Sequence, residues 1–157
     1  MTWKAVFATF VVLSTVASPA LSQAPPDSEK AKQVVALVEK AAAMIESKGK
    51  AAFPDFRKTG SEWWVGDTYL FAGDMKGTEL LNAGFPNHEG TDTNSLKDAN
   101  GKLFLVELMK TAQSEGSGWV DYMWPKPGQS QPSQKWSYVK AVKIDGAPGY
   151  VAAGFYP

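Results

Sequence analysis

Apolar positions change their period along this chain, and each change marks an element. Val34, Leu37, Val38, Ala41, Met44 and Ile45 recur at three- and four-residue spacing, with Lys32, Glu39, Lys40, Glu46 and Ser47 on other parts of the turn. That spacing predicts a long amphipathic helix packed by one face. Asp27 or Ser28 stands where an N-cap belongs, Glu29 suits the positive helix start, and Gly49 is placed to stop it. Phe53, Phe56 and Arg57 predict a second short helical piece, ended by Gly60. Residues 68–72 and 79–81 are β-prone, and the Gly73-Asp74-Met75-Lys76-Gly77 run between them carries turn chemistry, so a hairpin is expected.

Residues 82–101 are rich in Asn, Asp, Gly and Thr and read as an ordered loop over the sheet. Leu103-Phe104-Leu105-Val106 suits a buried strand in isolation. Glu107, Lys110 and Gln113 fall three apart, however, and Asn100 can cap the start, which favours a helix ending near Gly116. Residues 119–124 read as a strand stopped by Pro125 and Pro127, and residues 128–133 as a loop. Residues 135–143 form the next expected strand, with Trp136, Tyr138, Lys140 and Val142 on one face; Asp145-Gly146 turns the chain into a last strand over 150–156. Five strands with the helices on one face make an α+β domain. No internal repeat is present.

The start of the chain reads as a leader. Lys4 gives a short positive region, and residues 5–16 are apolar but too short to span a bilayer comfortably. Ser18-Pro19-Ala20 and Ser22-Gln23-Ala24 both offer small residues for cleavage, so a signal peptide over residues 1–24 ends after Ala20 or Ala24. An uncleaved membrane anchor is the alternative. Residues 25–157 are then expected as one mature domain, periplasmic or secreted, with no membrane span and no output module. Sixteen basic and sixteen acidic side chains cancel, so no pole of charge points to nucleic acid or an anionic membrane. The absence of cysteine excludes disulfides, a thiolate nucleophile and a Cys-based zinc site.

Two segments resemble a known family. Ser95-Leu96-Lys97-Asp98-Ala99-Asn100-Gly101-Lys102 precedes a helix, and Gly116-Ser117-Gly118-Trp119-Val120-Asp121-Tyr122-Met123-Trp124-Pro125-Lys126-Pro127 follows it. Together they are similar to the signature of single Cache domains of the second type. Lys135-Trp136-Ser137-Tyr138-Val139, Gly154-Phe155-Tyr156 and Gly66-Asp67-Thr68-Tyr69-Leu70-Phe71 extend the resemblance over nearly the whole expected mature chain. It implies a PAS-like five-stranded antiparallel sheet with a long N-terminal helix and a second helix. It also implies extracytoplasmic sensing of a small molecule, often a short carboxylate; as a stand-alone secreted module, the chain is then expected to present its bound form to a membrane receptor or transporter. Members often carry a histidine just after the second strand; here Asn82-Ala83-Gly84-Phe85-Pro86 stands there, and the only histidine is His88.

Catalytic chemistry finds little support. Gly-x-Ser-x-Gly, Ser-x-x-Lys and Gly-rich phosphate motifs are missing. A single histidine cannot build a multi-histidine metal site, and His88 reads as a solvated loop residue. Calcium frames beginning at Asp92 or Asp98 place Leu96 or Lys102 where an oxygen ligand is required, so turn and capping roles are expected of both aspartates. Neither an enzyme nor a cofactor or metal is therefore expected.

The candidate site is built from aromatics and lysines. Tyr122 and Trp124 share one face of their strand, and Trp119 and Met123 share the other. The expected ligand contacts are Tyr122, Trp124, Lys126, Lys135 and Tyr138, with Trp64 and Tyr69 as walls. Lysines and tyrosine hydroxyls would hold a small, anionic organic ligand between apolar surfaces. Lys135 and Tyr138 are an odd number of positions apart, so both can serve only if the strand starts after Lys135 or bends there. The rival reading is a structural or protein-interaction module whose pocket is filled by its own aromatics.

Overall fold

The computed structural model describes Pro25 and residues 28–157. The expected leader, residues 1–24, lies outside the described residues. Helix α1 spans Glu29–Lys48, followed by a 3-10 turn at Gly49–Ala52 and the short helix α2, Phe53–Phe56. Strands β1 (Leu70–Asp74) and β2 (Glu79–Asn82) form the hairpin, and a 3-10 turn at Pro86–His88 interrupts the loop after it. Helix α3 spans Phe104–Glu115, and β3 (Ser117–Pro125), β4 (Pro132–Ile144) and β5 (Ala147–Phe155) complete the chain. The five strands form one antiparallel sheet in the order β2-β1-β5-β4-β3. The fold is α+β, as expected.

Local chemistry fixes the helix ends. Ser28 caps α1, its hydroxyl accepting from the Ala31 amide at 3.2 Å. Gly49 ends it at φ 59, a left-handed conformation that costs glycine little, with its N–H donating to the Ile45 carbonyl. Helix α3 departs from expectation at its start. It begins at Phe104 with Leu103 at the N-cap and no side-chain cap. Asn100 sits instead in a turn organised by Asp98, whose Oδ1 accepts from the amides of Asn100 (2.9 Å) and Lys102 (2.8 Å).

The two long helices do not share a face of the sheet, which corrects the expected layering. Helix α1 buries Val34, Val38, Ala41 and Ile45 against Leu70, Ala72, Val142, Val151 and Phe155. Helix α3 buries Phe104, Leu105, Leu108 and Ala112 against Phe71, Val120, Val139 and Ala152 on the opposite face. The reason lies in β5 and β4. Residues Tyr150 to Phe155 are buried at every position, so both faces of the central strand need a cover, which one helix cannot supply. Along β4, Trp136, Tyr138, Val142 and Ile144 meet α1, whereas Val139 and Ala141 meet the α3 side.

Candidate ligand-binding site

Between α3, the 83–103 loop and the sheet lies a cavity of about 10 Å³, room for about one water. Its polar lining comes from Tyr69, Glu79, Asn82, Tyr122 and Lys135, and its apolar walls from Phe71, Leu96, Phe104, Leu105 and Trp124.

Lys135 is the central feature. It is only 1% exposed. Its Nζ donates to the Tyr69 hydroxyl at 2.9 Å. The ammonium lies 4.1 Å from the ring centroid of Tyr69 and 5.2, 5.9 and 5.6 Å from those of Phe71, Tyr122 and Tyr156. Such ring faces attract a cation. Burial nevertheless pulls Lys135 down to about 7, with the Glu79 carboxylate acting in the other direction. Gly154, across the ladder, makes room for the lysine. A Cβ there would lie 2.3 Å from Ser137 Oγ and 2.7 Å from Lys135 Cε.

Strand β4 pairs regularly with β3 from Pro132 onward, with Tyr122 opposite Lys135 and Trp119 opposite Tyr138. The strand neither starts after Lys135 nor bends there, so Lys135 and Tyr138 face opposite sides. This separates two residues expected together: Tyr138 packs on Trp119 at 5.3 Å in the α1 layer, away from the cavity. Tyr122 lies on the cavity side, its hydroxyl 2.9 Å from Ser137 Oγ and its ring stacked on Phe104 at 4.2 Å. Burial holds the hydroxyls of Tyr69 and Tyr122 well above the ordinary tyrosine range, so both stay protonated. Trp124 forms the outer wall, 4.9 Å from Phe104 and 5.7 Å from Phe85.

The other expected residues lie at the margin. Trp64 packs on Tyr69 at 6.0 Å without lining the cavity, and its indole N–H donates to the Gly66 carbonyl. Lys126 is paired with Asp67 at 3.1 Å and lies 5.4 Å from the Tyr156 ring. His88 is half-buried against Trp124 (5.7 Å) and Phe85 (6.4 Å), rather than solvated. Asp98 accepts from the Met123 amide at 2.9 Å as well as within its own turn, which ties the covering loop to β3.

Glu79 and Asn82 went unnoticed in the sequence, for a reason found in the hairpin. A β-bulge interrupts the β1–β2 register: Ala72 faces Leu81, but Gly73 faces Glu79. Leu80 is the extra residue, so Glu79 joins Asn82 on the cavity side, which two residues three apart in a regular strand cannot do. Glu79 is 1% exposed. Burial pushes its carboxyl up to about 7, against the opposing effects of the Asn82 hydrogen bond and Lys135. Among the described residues, no group of three or more His, Cys, Asp or Glu side chains is placed to hold a metal ion.

Comparison with known proteins adds to this geometry. The family model described as Single Cache domain 2 matches residues 27–146. A solved periplasmic sensor domain of a chemotaxis protein is 30% identical, with a TM-score of 0.69, covering 81% of this chain and 94% of that one. A Cache chemosensory domain solved to explain carboxylic acid recognition has a TM-score of 0.69 at 24% identity, over 81% of this chain and 92% of that one; at that identity the likeness is one of fold. Methyl-accepting chemotaxis protein McpP of Pseudomonas putida is 30% identical over 77 residues, 49% of this chain. Those residues make up only 14% of that receptor's length. With the family model matched over most of its length and its fold shared with a solved sensor domain, this chain belongs to the Single Cache domain 2 family.

Proposed function

We propose that this domain binds a small carboxylic acid in the periplasm or outside the cell and presents the bound state to a membrane-bound signalling or transport partner. It works as a sensor domain, not an enzyme, in keeping with its family. The observation that carries the reading is the Lys135–Tyr69 pair on the cavity lining. Lys135 has three N–H donors, and Tyr69 accepts one of them. The tyrosine oxygen accepts from the ammonium, and its own O–H is engaged by the Tyr156 hydroxyl, so two N–H donors of Lys135 remain for a ligand. A buried cationic group with two donors to spare suits the two oxygens of a carboxylate. The apolar walls from Phe71, Leu105 and Phe104 suit a short carbon tail. Likeness to a solved periplasmic sensor domain of a chemotaxis protein supports the location and the kind of partner.

Isothermal titration calorimetry with short monocarboxylic acids tests the proposal. Binding is expected, and Lys135→Met, which keeps the stem and removes the charge, should abolish it. Binding that survives Lys135→Met would place the anion elsewhere. The second reading, a self-filled pocket serving structure or protein contacts, is favoured by the cavity's volume of about 10 Å³. It predicts no heat from any acid.

A further inference from the structure

We propose that the ligand is a short carboxylic acid bearing a hydrogen-bond donor, hydroxyl or ammonium, on the carbon beside its carboxyl group, and that Glu79 accepts from that donor. The inference rests on the reading that Lys135, bonded to Tyr69, holds the carboxylate, and adds the group that selects among carboxylates.

One carboxylate oxygen of Glu79 is already engaged: Oε1 accepts from Asn82 Nδ2 at 2.9 Å. Oε2 is buried and, among the described residues, is the one buried side-chain nitrogen or oxygen without a hydrogen-bond partner. Lys135 does not fill the role, since its ammonium donates to Tyr69 and acts on Glu79 only through space. Nor can Asn82 swing to serve both oxygens. Its Oδ1 accepts from the Phe85 amide at 2.9 Å, and its backbone N–H is tied to Glu89 Oε1 at 2.9 Å. The Glu79 backbone is pinned as well, donating to the Thr91 carbonyl and accepting from the Gly90 amide at 2.7 Å. A buried acceptor so firmly held and without a protein donor is expensive for a folded protein. It is useful where a ligand completes it.

Glu79 and Lys135 line the same small cavity, one offering a free acceptor and the other free donors. A carboxylate with a neighbouring hydroxyl or ammonium complements both at once. Every acid of this class brings a negative charge near Glu79, but only the plain carboxylate also leaves Oε2 without a donor, which a buried site disfavours. Discrimination of this kind is strong because the site's own buried polar atom stays unpaired with the wrong ligand.

The test is calorimetric titration of the purified chain with two matched series: acetate, glycolate and glycine, then propionate, lactate and alanine. The donor-bearing acids, hydroxy or amino, should bind about tenfold or more tightly than the plain acid of the same length. Comparing glycolate with glycine, and lactate with alanine, identifies the donor. In Glu79→Gln the amide keeps an oxygen for Asn82 and turns its NH2 group toward the cavity. The advantage of donor-bearing acids should vanish there, while plain acids keep or gain affinity. Plain acids binding as well as their donor-bearing partners to the unaltered chain, or an advantage that survives Glu79→Gln, would overturn this inference and leave the Lys135 reading standing. Binding by none of the six acids would overturn both. The comparison on the unaltered chain decides the matter even if Glu79→Gln fails to fold.

Discussion

Lys135 and Glu79 are displaced toward the same pH from opposite sides, and this has a consequence for stability. Burial raises Glu79 from 4.5 to about 7. Between those values the folded chain holds a proton that the unfolded chain has released, so stability falls as pH rises through the window. Burial lowers Lys135 from 10.5 to about 7. Between those values the unfolded chain holds the extra proton, so stability climbs again as pH rises. The two effects predict a shallow minimum of melting temperature at about pH 7, flanked by higher values at about pH 5 and about pH 9. The double variant Glu79→Gln, Lys135→Met should lose the dip. A profile of the unaltered chain that rises or falls steadily through this range would contradict the pairing. A second prediction separates two tyrosines. Tyr69→Phe removes the hydroxyl that Lys135 bonds and should weaken carboxylate binding by roughly ten- to hundred-fold. Tyr138→Phe, on the α1 side of β4, should leave it unchanged; titration of the two variants with one acid reads both outcomes.

Strand β5 and the bulge in β2 decide what the lysine and the glutamate can do. Gly154 lies opposite Ser137 in the β4–β5 ladder, and its missing side chain leaves space for the lysine stem. A methyl group there meets Ser137 Oγ, the Trp136 carbonyl and Lys135 Cε, all under 3 Å, so strand or lysine must shift. Gly154→Ala should therefore cost about 1–3 kcal/mol in denaturant unfolding, typical of overpacking, and weaken ligand binding as well. A variant as stable and as tight-binding as the parent would show that Lys135 needs no such space. Much of this architecture was legible beforehand. The three- and four-residue spacing in α1, the turn chemistry between β1 and β2 and the proline stops after β3 each rest on local sequence. What escaped depends on pairing. A bulge at Leu80 exists only relative to β1, so Glu79 could not be assigned a face from β2 alone. The parity of β4 warned that Lys135 and Tyr138 could not serve together, but only the register with β3 shows that Lys135 is the one at the cavity. Likewise, a strand apolar on both faces signals two covering layers, which an expectation of helices on one face overlooked.

At the scale of the whole molecule, the cavity beside α3 and helix α1 lie on opposite faces of one sheet, and β4 connects them. Lys135 and Ser137 look into the α3 side, while Trp136 and Tyr138, their chain neighbours, pack in the α1 layer. Any shift of β4 that accompanies binding is therefore felt at the face of α1. The proposed location makes its own prediction: in the natural host, mass spectrometry of the soluble protein should find an N-terminus between Leu21 and Ser28, whereas an intact Met1 there would refute export with processing. The last prediction decides between a ligand-binding domain and a self-filled one. The cavity has room for about one water, so even a two-carbon acid must displace part of the wall. The half-buried Leu96 and Trp124, both on its outer side, are the residues placed to yield. Opening lowers the apparent affinity by the fraction of molecules open, so a low concentration of acid will show little. Saturation overcomes that cost: a ligand at about 100 times its apparent Kd stabilises the folded state by about 2.7 kcal/mol. For a domain of this size that corresponds to a rise in melting temperature of roughly 8 °C. The rise should continue logarithmically with further acid, because binding draws on the folded state alone. A self-filled pocket gives no such rise at constant pH and ionic strength, and Lys135→Met should behave like one.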